Sequence, residues 1–233
     1  MKKLLMVALA ALPALASAQN LLTDPSFEGA AFAFSPGVLW GPLPTGAYGA
    51  WSVTNAVGAP AFTVATPSSA PTSLINTTFT QAPGGGIFGA ANGGSKAVYF
   101  VDDSGVESIS QTLALGAGAY NFGLDIFATA NGFVQPFNAL FSISLGATML
   151  NGTIGGVGSP AVSTWTTLAG VTPMLAAGNY TFSFVFTPGE FTTKDMVIDR
   201  AFVTLVPEPG TYGLMLAGLL AVGYVARRRS NKR

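Results

Sequence analysis

From Tyr180 to Thr187 the chain alternates without a break. Tyr180, Phe182, Phe184 and Phe186 are aromatic, and Thr181, Ser183, Val185 and Thr187 stand between them. A helix would scatter those four rings around its circumference, whereas an extended strand puts them all on one face. The stretch therefore predicts a strand whose aromatic side is turned to a core. The same period of two recurs upstream. Ile109, Gln111 and Leu113 alternate with Ser110, Thr112 and Ala114; Tyr120, Phe122, Leu124 and Ile126 alternate with Asn121, Gly123 and Asp125. Phe137, Ala139, Phe141, Ile143 and Leu145 form a similar face. Ala97 to Val101 reads as a buried strand ending at the turn Asp102-Asp103-Ser104-Gly105, and Asp195 to Leu205 carries β-branched and apolar residues. Between the two ends of the chain no segment has a helical period. Such strands, separated by Gly, Asn and Pro turns, predict an all-β protein, an antiparallel sandwich of about eight to eleven strands wound as a jelly roll.

The first half of the body is less regular. Val38-Leu39-Trp40, Trp51-Ser52-Val53 and Ala61-Phe62-Thr63-Val64 are short apolar runs. Residues 67–94 are rich in Thr, Ser, Pro and Gly, which fits either a surface loop or a partly disordered tract.

Both ends differ from this body. Met1-Lys2-Lys3, an apolar run from Leu4 to Ala16, and Ala16-Ser17-Ala18 have the form of a secretory signal peptide over 1–18, cleaved before Gln19. At the other end, Val206-Pro207-Glu208-Pro209-Gly210 precedes an uncharged run over 211–226, and Arg227-Arg228-Arg229 closes it. As a helix that run spans roughly 24 Å, short of a hydrocarbon core of ~30 Å. Snorkelling arginines at 227–229 would close the gap and stay cytoplasmic, within a basic tail over 227–233. Pro207 and Pro209 stop the helix from extending backward and leave accessible backbone at 207–209. The expected organisation is thus a leader over 1–18, a sandwich over 19–205 and a tail over 206–233.

The overall charge balance of zero hides an acidic body. Between the leader and the tail only Lys96, Lys194 and Arg200 oppose nine acids, a net charge of −6, which gives nucleic acid nothing to bind. The chain has no cysteine and no histidine. That excludes disulfides, thiolate chemistry, Ser-His-Asp and Cys-His triads, and histidine-bound zinc.

Val206 to Gly210, with the apolar run and the arginines behind it, resembles the PEP-CTERM sorting signal of Gram-negative bacteria. That resemblance implies export, transient anchoring in the inner membrane and processing by an exosortase. It also implies a place at the cell surface or in an exopolysaccharide-associated biofilm matrix. The body is similar to galactose-binding-like jelly rolls, through Asn20-Leu21-Leu22 with Ser26-Phe27-Glu28, Ile109-Ser110-Gln111-Thr112 with Gly118-Ala119-Tyr120, Trp51, and Ile198-Asp199-Arg200-Ala201-Phe202-Val203. Val197-Ile198-Asp199-Arg200-Ala201 also resembles the FxDxA group of PEP-CTERM proteins, with Val197 in place of Phe. In related sandwiches an acid from the first strand and one from the last ligate a structural Ca²⁺, and Glu28 and Asp199 are the matching residues; a hard cation would draw its remaining oxygens from carbonyls and water.

Other chemistry is thinner. Trp40, Trp51 and Trp165, with Tyr48, could stack on sugar rings if exposed, but sandwich cores also consume tryptophan. Asp102, Asp103, Glu107 and Asp125 are the candidate carboxylates for glycoside hydrolysis, which needs two of them ~5–9 Å apart across a cleft. Asp102 to Glu107 lacks the spacing of an acidic calcium loop. The expected function is therefore non-enzymatic surface display, with a lectin-like polysaccharide-binding module as the alternative and a hydrolase behind it.

Overall fold

The computed structural model describes residues 19–32, 40–55, 61–65, 96–100, 105–128, 140–153, 165–187, 196–207, 217–223 and 227. The leader over 1–18, the tract over 67–94, and Phe137, Ala139, Asp102 and Asp103 lie outside them. Twelve strands are described: β1 (Trp40–Leu43), β2 (Gly46–Tyr48), β3 (Trp51–Thr54), β4 (Ala61–Ala65), β5 (Lys96–Phe100), β6 (Glu107–Leu115), β7 (Tyr120–Ala128), β8 (Leu140–Leu145), β9 (Thr148–Thr153), β10 (Trp165–Val171), β11 (Gly178–Thr187) and β12 (Met196–Leu205). They form two six-stranded sheets, one in the order β1-β4-β5-β12-β7-β10 and the other β2-β3-β6-β11-β8-β9. Every pairing is antiparallel. Twelve exceeds the expected eight to eleven because short pieces near the start, and the β9 and β10 strands, carry too little alternation to stand out.

The aromatic stripe of β11 builds the core. Phe182, Phe184 and Phe186 are fully buried, as are Ile109 of β6, Phe122, Leu124 and Ile126 of β7, and Ile143 and Leu145 of β8. Phe100 tilts over Phe184 with ring centroids 5.0 Å apart, and Trp51 meets Phe182 edge-on at 6.1 Å. Each such side chain contributes roughly 1.5–3 kcal/mol of transfer free energy. Gln111, on the β6 inner face with the buried Glu107, is satisfied: its Nε2 donates to Thr23 O at 2.9 Å and its Oε1 accepts from Thr23 N at 2.8 Å. A buried amide is tolerated where both its ends find partners.

The start of the body is joined to its end. β12 pairs with β5 only through Met196, Val197 and Ile198. Beyond that point the opening segment takes the place of β5: Leu21 N donates to Val203 O at 2.8 Å, and Ala201 N donates to Pro25 O at 2.9 Å. The Asn20 side chain donates to Ala201 O and accepts from Val203 N. The two ends of the sandwich are thus held side by side in one sheet.

Candidate functional site

The sorting segment leaves the fold from the middle of a sheet. β12 lies between β5 and β7 and ends at Leu205. Val206 is half-buried and donates its N–H to Ala119 O at 2.8 Å; Pro207, the next residue, is exposed. Gly118, beside that acceptor, has φ +158, and a Cβ there would fall 2.6 Å from Leu205 Cδ1, so a glycine lets the last turn of the strand close down. Ordered sheet therefore gives way to exposed backbone between Val206 and Pro207. Glu208, Pro209, Gly210, Arg228 and Arg229 lie outside the described residues. A helical stretch covers 217–223, and Arg227 is helical and exposed. Among the described residues no helix is long and apolar enough to cross a membrane.

A second group of functional candidates sits on the side of the β12 sheet turned away from the core. β12 carries a bulge between Asp199 and Phe202, where Arg200 adopts φ 50, an uncommon backbone for a residue with a side chain. Asp199 faces Asp125 of β7 across the ladder. Arg200 Nε stands 2.7 Å from Asp125 Oδ2, and Thr167 Oγ1 of β10 donates to Asp125 Oδ1 at 2.6 Å. Asp199 Oδ1 accepts from Arg200 N at 2.6 Å. All three charged side chains are buried. Burial pushes the Asp199 carboxyl well above the ordinary value, and the charges of Asp125 and Glu28 add to the rise. Burial also raises Asp125, although Thr167 and Arg200 pull it back.

Glu28 and Asp199, the pair matched to a calcium site, thus lie close enough to feel one another. Their surroundings suit an internal cation better than a metal. Glu28 Oε1 accepts from Lys96 N, while Lys96 Nζ donates to Glu28 O at 3.1 Å and to Gly29 O at 3.2 Å. The ammonium occupies the Glu28 and Gly29 carbonyls, the backbone oxygens beside this pair that a hard cation would draw on. Among the described residues no group of three acids is arranged to hold a metal. The residues do not fit the ion.

The tryptophans divide. Trp51 is in the core at 1% exposure, ringed by Phe27 and Phe182, and its Nε1 donates to Asp24 O at 2.9 Å. No sugar can reach it. Trp165 is half-buried on β10 with its ring 5.4 Å from Phe127. Trp40 opens β1, and its side chain lies outside the described residues. Tyr48 stacks on Phe32 and donates to Pro44 O.

One feature escaped the sequence reading because it exists only once the strands are in register. On the solvent side of the β11 sheet, Ser52, Ser110, Ser183 and Ser144 stand in a row across β3, β6, β11 and β8. Beside it run Thr54, Ser108, Val185, Ser142 and Asn151. Ser144 Oγ and Ser183 Oγ are 2.8 Å apart, and Thr112 Oγ1 and Thr181 Oγ1 are 3.1 Å apart. These rows carry hydroxyls and no charge.

The fold and the junction define a class: an antiparallel β-sandwich ending in a carboxy-terminal sorting signal. Residues 205–230 match the PEP-CTERM protein-sorting motif. That motif marks the chain for export, exosortase processing and sorting to the cell surface. No curated protein matches the chain in sequence. Among solved structures, the Stig cyclase FisC from Fischerella sp. TAU is 16% identical, covering 82% of this chain and 99% of its own with a TM-score of 0.50, a likeness of fold. A family 61 carbohydrate-binding module, solved with β-1,4-galactotriose, is 16% identical over 81% of this chain and 99% of its own, with a TM-score of 0.43. A family 4 carbohydrate-binding module is 11% identical over 79% and 99%, with a TM-score of 0.35.

Proposed function

We propose that this protein is a non-enzymatic surface or matrix component of a Gram-negative bacterium, held briefly in the inner membrane by its tail and placed by exosortase processing within an exopolysaccharide-associated biofilm. The observation that carries this reading is the junction. The central strand β12 is complete at Leu205, its last anchored amide is Val206 N–H, and the motif begins in the open at Pro207. A cut within 207–209 would remove the tail without disturbing a single described ladder. The leader and the three arginines agree with that course. A purely structural role for the carboxylates is supported by the burial of Asp125 and Asp199 to 1% exposure, the first paired with the Arg200 side chain and the second accepting from the Arg200 backbone N–H. Replacing Pro207, Glu208 and Pro209 with alanine should leave an uncut, tail-bearing protein; normal processing of that variant would defeat the sorting reading.

A second reading, a lectin-like module, is favoured by the hydroxyl rows of the β11 sheet. A neutral polysaccharide could exchange hydrogen bonds with Ser110, Ser144 and Ser183 and meet no charge. A glycan array separates the two readings. Reproducible binding to neutral glycans, lost when Ser110 and Ser183 are replaced by lysine, would establish the lectin; silence on the array would leave display alone.

A further inference from the structure

Both termini of the body leave from one end of the sandwich, and that end carries no charge. Two connections build it: residues 116–119 join β6 to β7, and residues 172–177 join β10 to β11. They are tied together, since Gly118 N donates to Leu175 O at 3.0 Å and Leu175 N donates to Gly118 O at 2.8 Å. The end of β12 lies against the first, through Val206 N and Ala119 O, and Pro207 then stands exposed. The opening segment reaches the same level, with Leu21 N on Val203 O and Gln19 exposed before it. Neither connection contains a charged residue, nor do 19–21 or 205–207. Asp125, Asp199 and Arg200 sit midway along β7 and β12, and Glu107 opens β6 at the opposite end. Four large apolar side chains are exposed around this exit: Leu21, Leu205, Val171 at the end of β10, and Met174 at 68% exposure. A gathering of exposed apolar residues marks an interaction site. The other exposed large apolar residues of the described body, Val106, Leu140 and Met149, lie apart, on or beside strands of the β11 sheet.

We propose that this end of the sandwich rests on the lipid surface of the bilayer while the tail is anchored, with Leu21, Val171, Met174 and Leu205 at the boundary between headgroups and acyl chains. The inference rests on the anchoring proposed above. The occupant follows from reach and charge. Val206 is five residues from the start of the apolar run at Thr211, a span of at most roughly 18 Å. β12 is ten residues long, so the opposite end of the body stands roughly 30 Å farther from the membrane. The apolar run is itself short for a hydrocarbon core, which draws the junction down toward the headgroups. The leader precedes Gln19 and would enter the bilayer beside the tail, so both membrane-seeking segments pull on this one end. Anionic headgroups repel a body of net charge −6, and this is the end that presents them no acid. Seated in this way, the sandwich would hold Pro207 at the membrane surface and keep its acids clear of it.

The test uses the full chain reconstituted into vesicles of phosphatidylethanolamine and phosphatidylglycerol. The chain has no cysteine, so single positions can be labelled. An environment-sensitive fluorophore on Met174→Cys should shift to the blue and lose most of its emission to lipids spin-labelled near the headgroup. Val171→Cys should do the same, and Thr54→Cys on β3 should do neither. A chain that fails to float with the vesicles would overturn the anchoring itself, and this inference with it. A floating chain whose labels at 171 and 174 are not quenched, or whose labels at 54 and 174 are quenched equally, would overturn the seating alone. A disulfide-linked dimer of the unlabelled Met174→Cys chain, with no quenching by lipid, would give this end to a second copy and also overturn it.

Discussion

The outer surfaces of the two sheets are built on opposite rules. In the β11 sheet, β6 and the second half of β11 alternate buried with half-buried or exposed residues, and the outer positions are uncharged: Ser108, Ser110, Thr112 and Ala114 on β6, and Thr181, Ser183, Val185 and Thr187 on β11. In the β12 sheet, β12 is buried from Met196 to Thr204, and β7 is buried at all but one position. Tyr99, Phe127, Val197 and Phe202 point away from the core cluster and are nonetheless inaccessible. One sheet meets water on its outer side; in the other the inner strands β7 and β12 are buried on both, so they read as nearly continuous apolar runs. The buried ion pair lies on the β12 sheet, with Asp125, Asp199 and Arg200, while the other sheet buries one charged residue, Glu107 at the start of β6. The difference separates two roles. The β12 sheet holds both ends of the sandwich and the exit of the sorting tail, and the β11 sheet offers a regular uncharged surface.

The sharpest way to break this contrast is to treat an outer residue of the β12 sheet as if it were core. Phe202→Ala should cost about 3–5 kcal/mol in denaturant unfolding, as much as an inner phenylalanine. A loss below about 1 kcal/mol would mean that the outer side is not closed. Gly123→Ala should come next, at about 1–3 kcal/mol, because its Cβ would fall 2.0 Å from Leu168 O and 2.8 Å from Phe202 Cζ.

The buried acids of the β12 sheet add a dependence on pH. A carboxyl whose folded pKa is raised binds its proton more tightly in the folded chain. Its stabilising effect is therefore complete below the ordinary value of 3.8 and is lost as pH rises through the raised value. Asp199, and to a lesser degree Asp125, should make the chain less stable as pH climbs from the acid range toward neutrality. Asp199→Asn keeps an oxygen for Arg200 N and should flatten that slope in thermal melts. A slope unchanged by the substitution would show that Asp199 is ionised at no cost. With Lys96 on the Glu28 and Gly29 carbonyls, millimolar Ca²⁺ should leave the melting temperature where a chelator leaves it. Smallest of all, Ser183→Ala on the hydroxyl face, which removes one hydroxyl contact with Ser144 from a half-buried position, should cost about 0.5–1 kcal/mol.

What could be read in advance followed the same division. The strands of the β11 sheet were legible wherever one side meets water, because Phe182, Phe184 and Phe186 alternate with residues that do not compete for the core. β5 and the stretch ending in β12 were legible as apolar runs, but not the bulge that turns Arg200 toward Asp125. That ion pair joins residues 75 positions apart, and nothing local announces it. β9 and β10 escaped because edge strands with half-exposed faces have no clean period. Trp51 and Trp165 have the same chemistry, and only register and packing send one into the core and the other to an edge. The serine row was invisible for a related reason, since four serines on four strands align only after the sheet has formed. The tail was the easiest part, because proline, an apolar run and arginines declare their roles without help from the fold.

The last described strand of the sandwich ends at Leu205, before the sorting tail begins. Mass spectrometry of the protein recovered from the outside of the producing cells tests this directly. It should find a carboxy terminus within residues 206–210 and a mature amino terminus at Gln19. An intact chain ending at Arg233, or a cut inside β12, would contradict it.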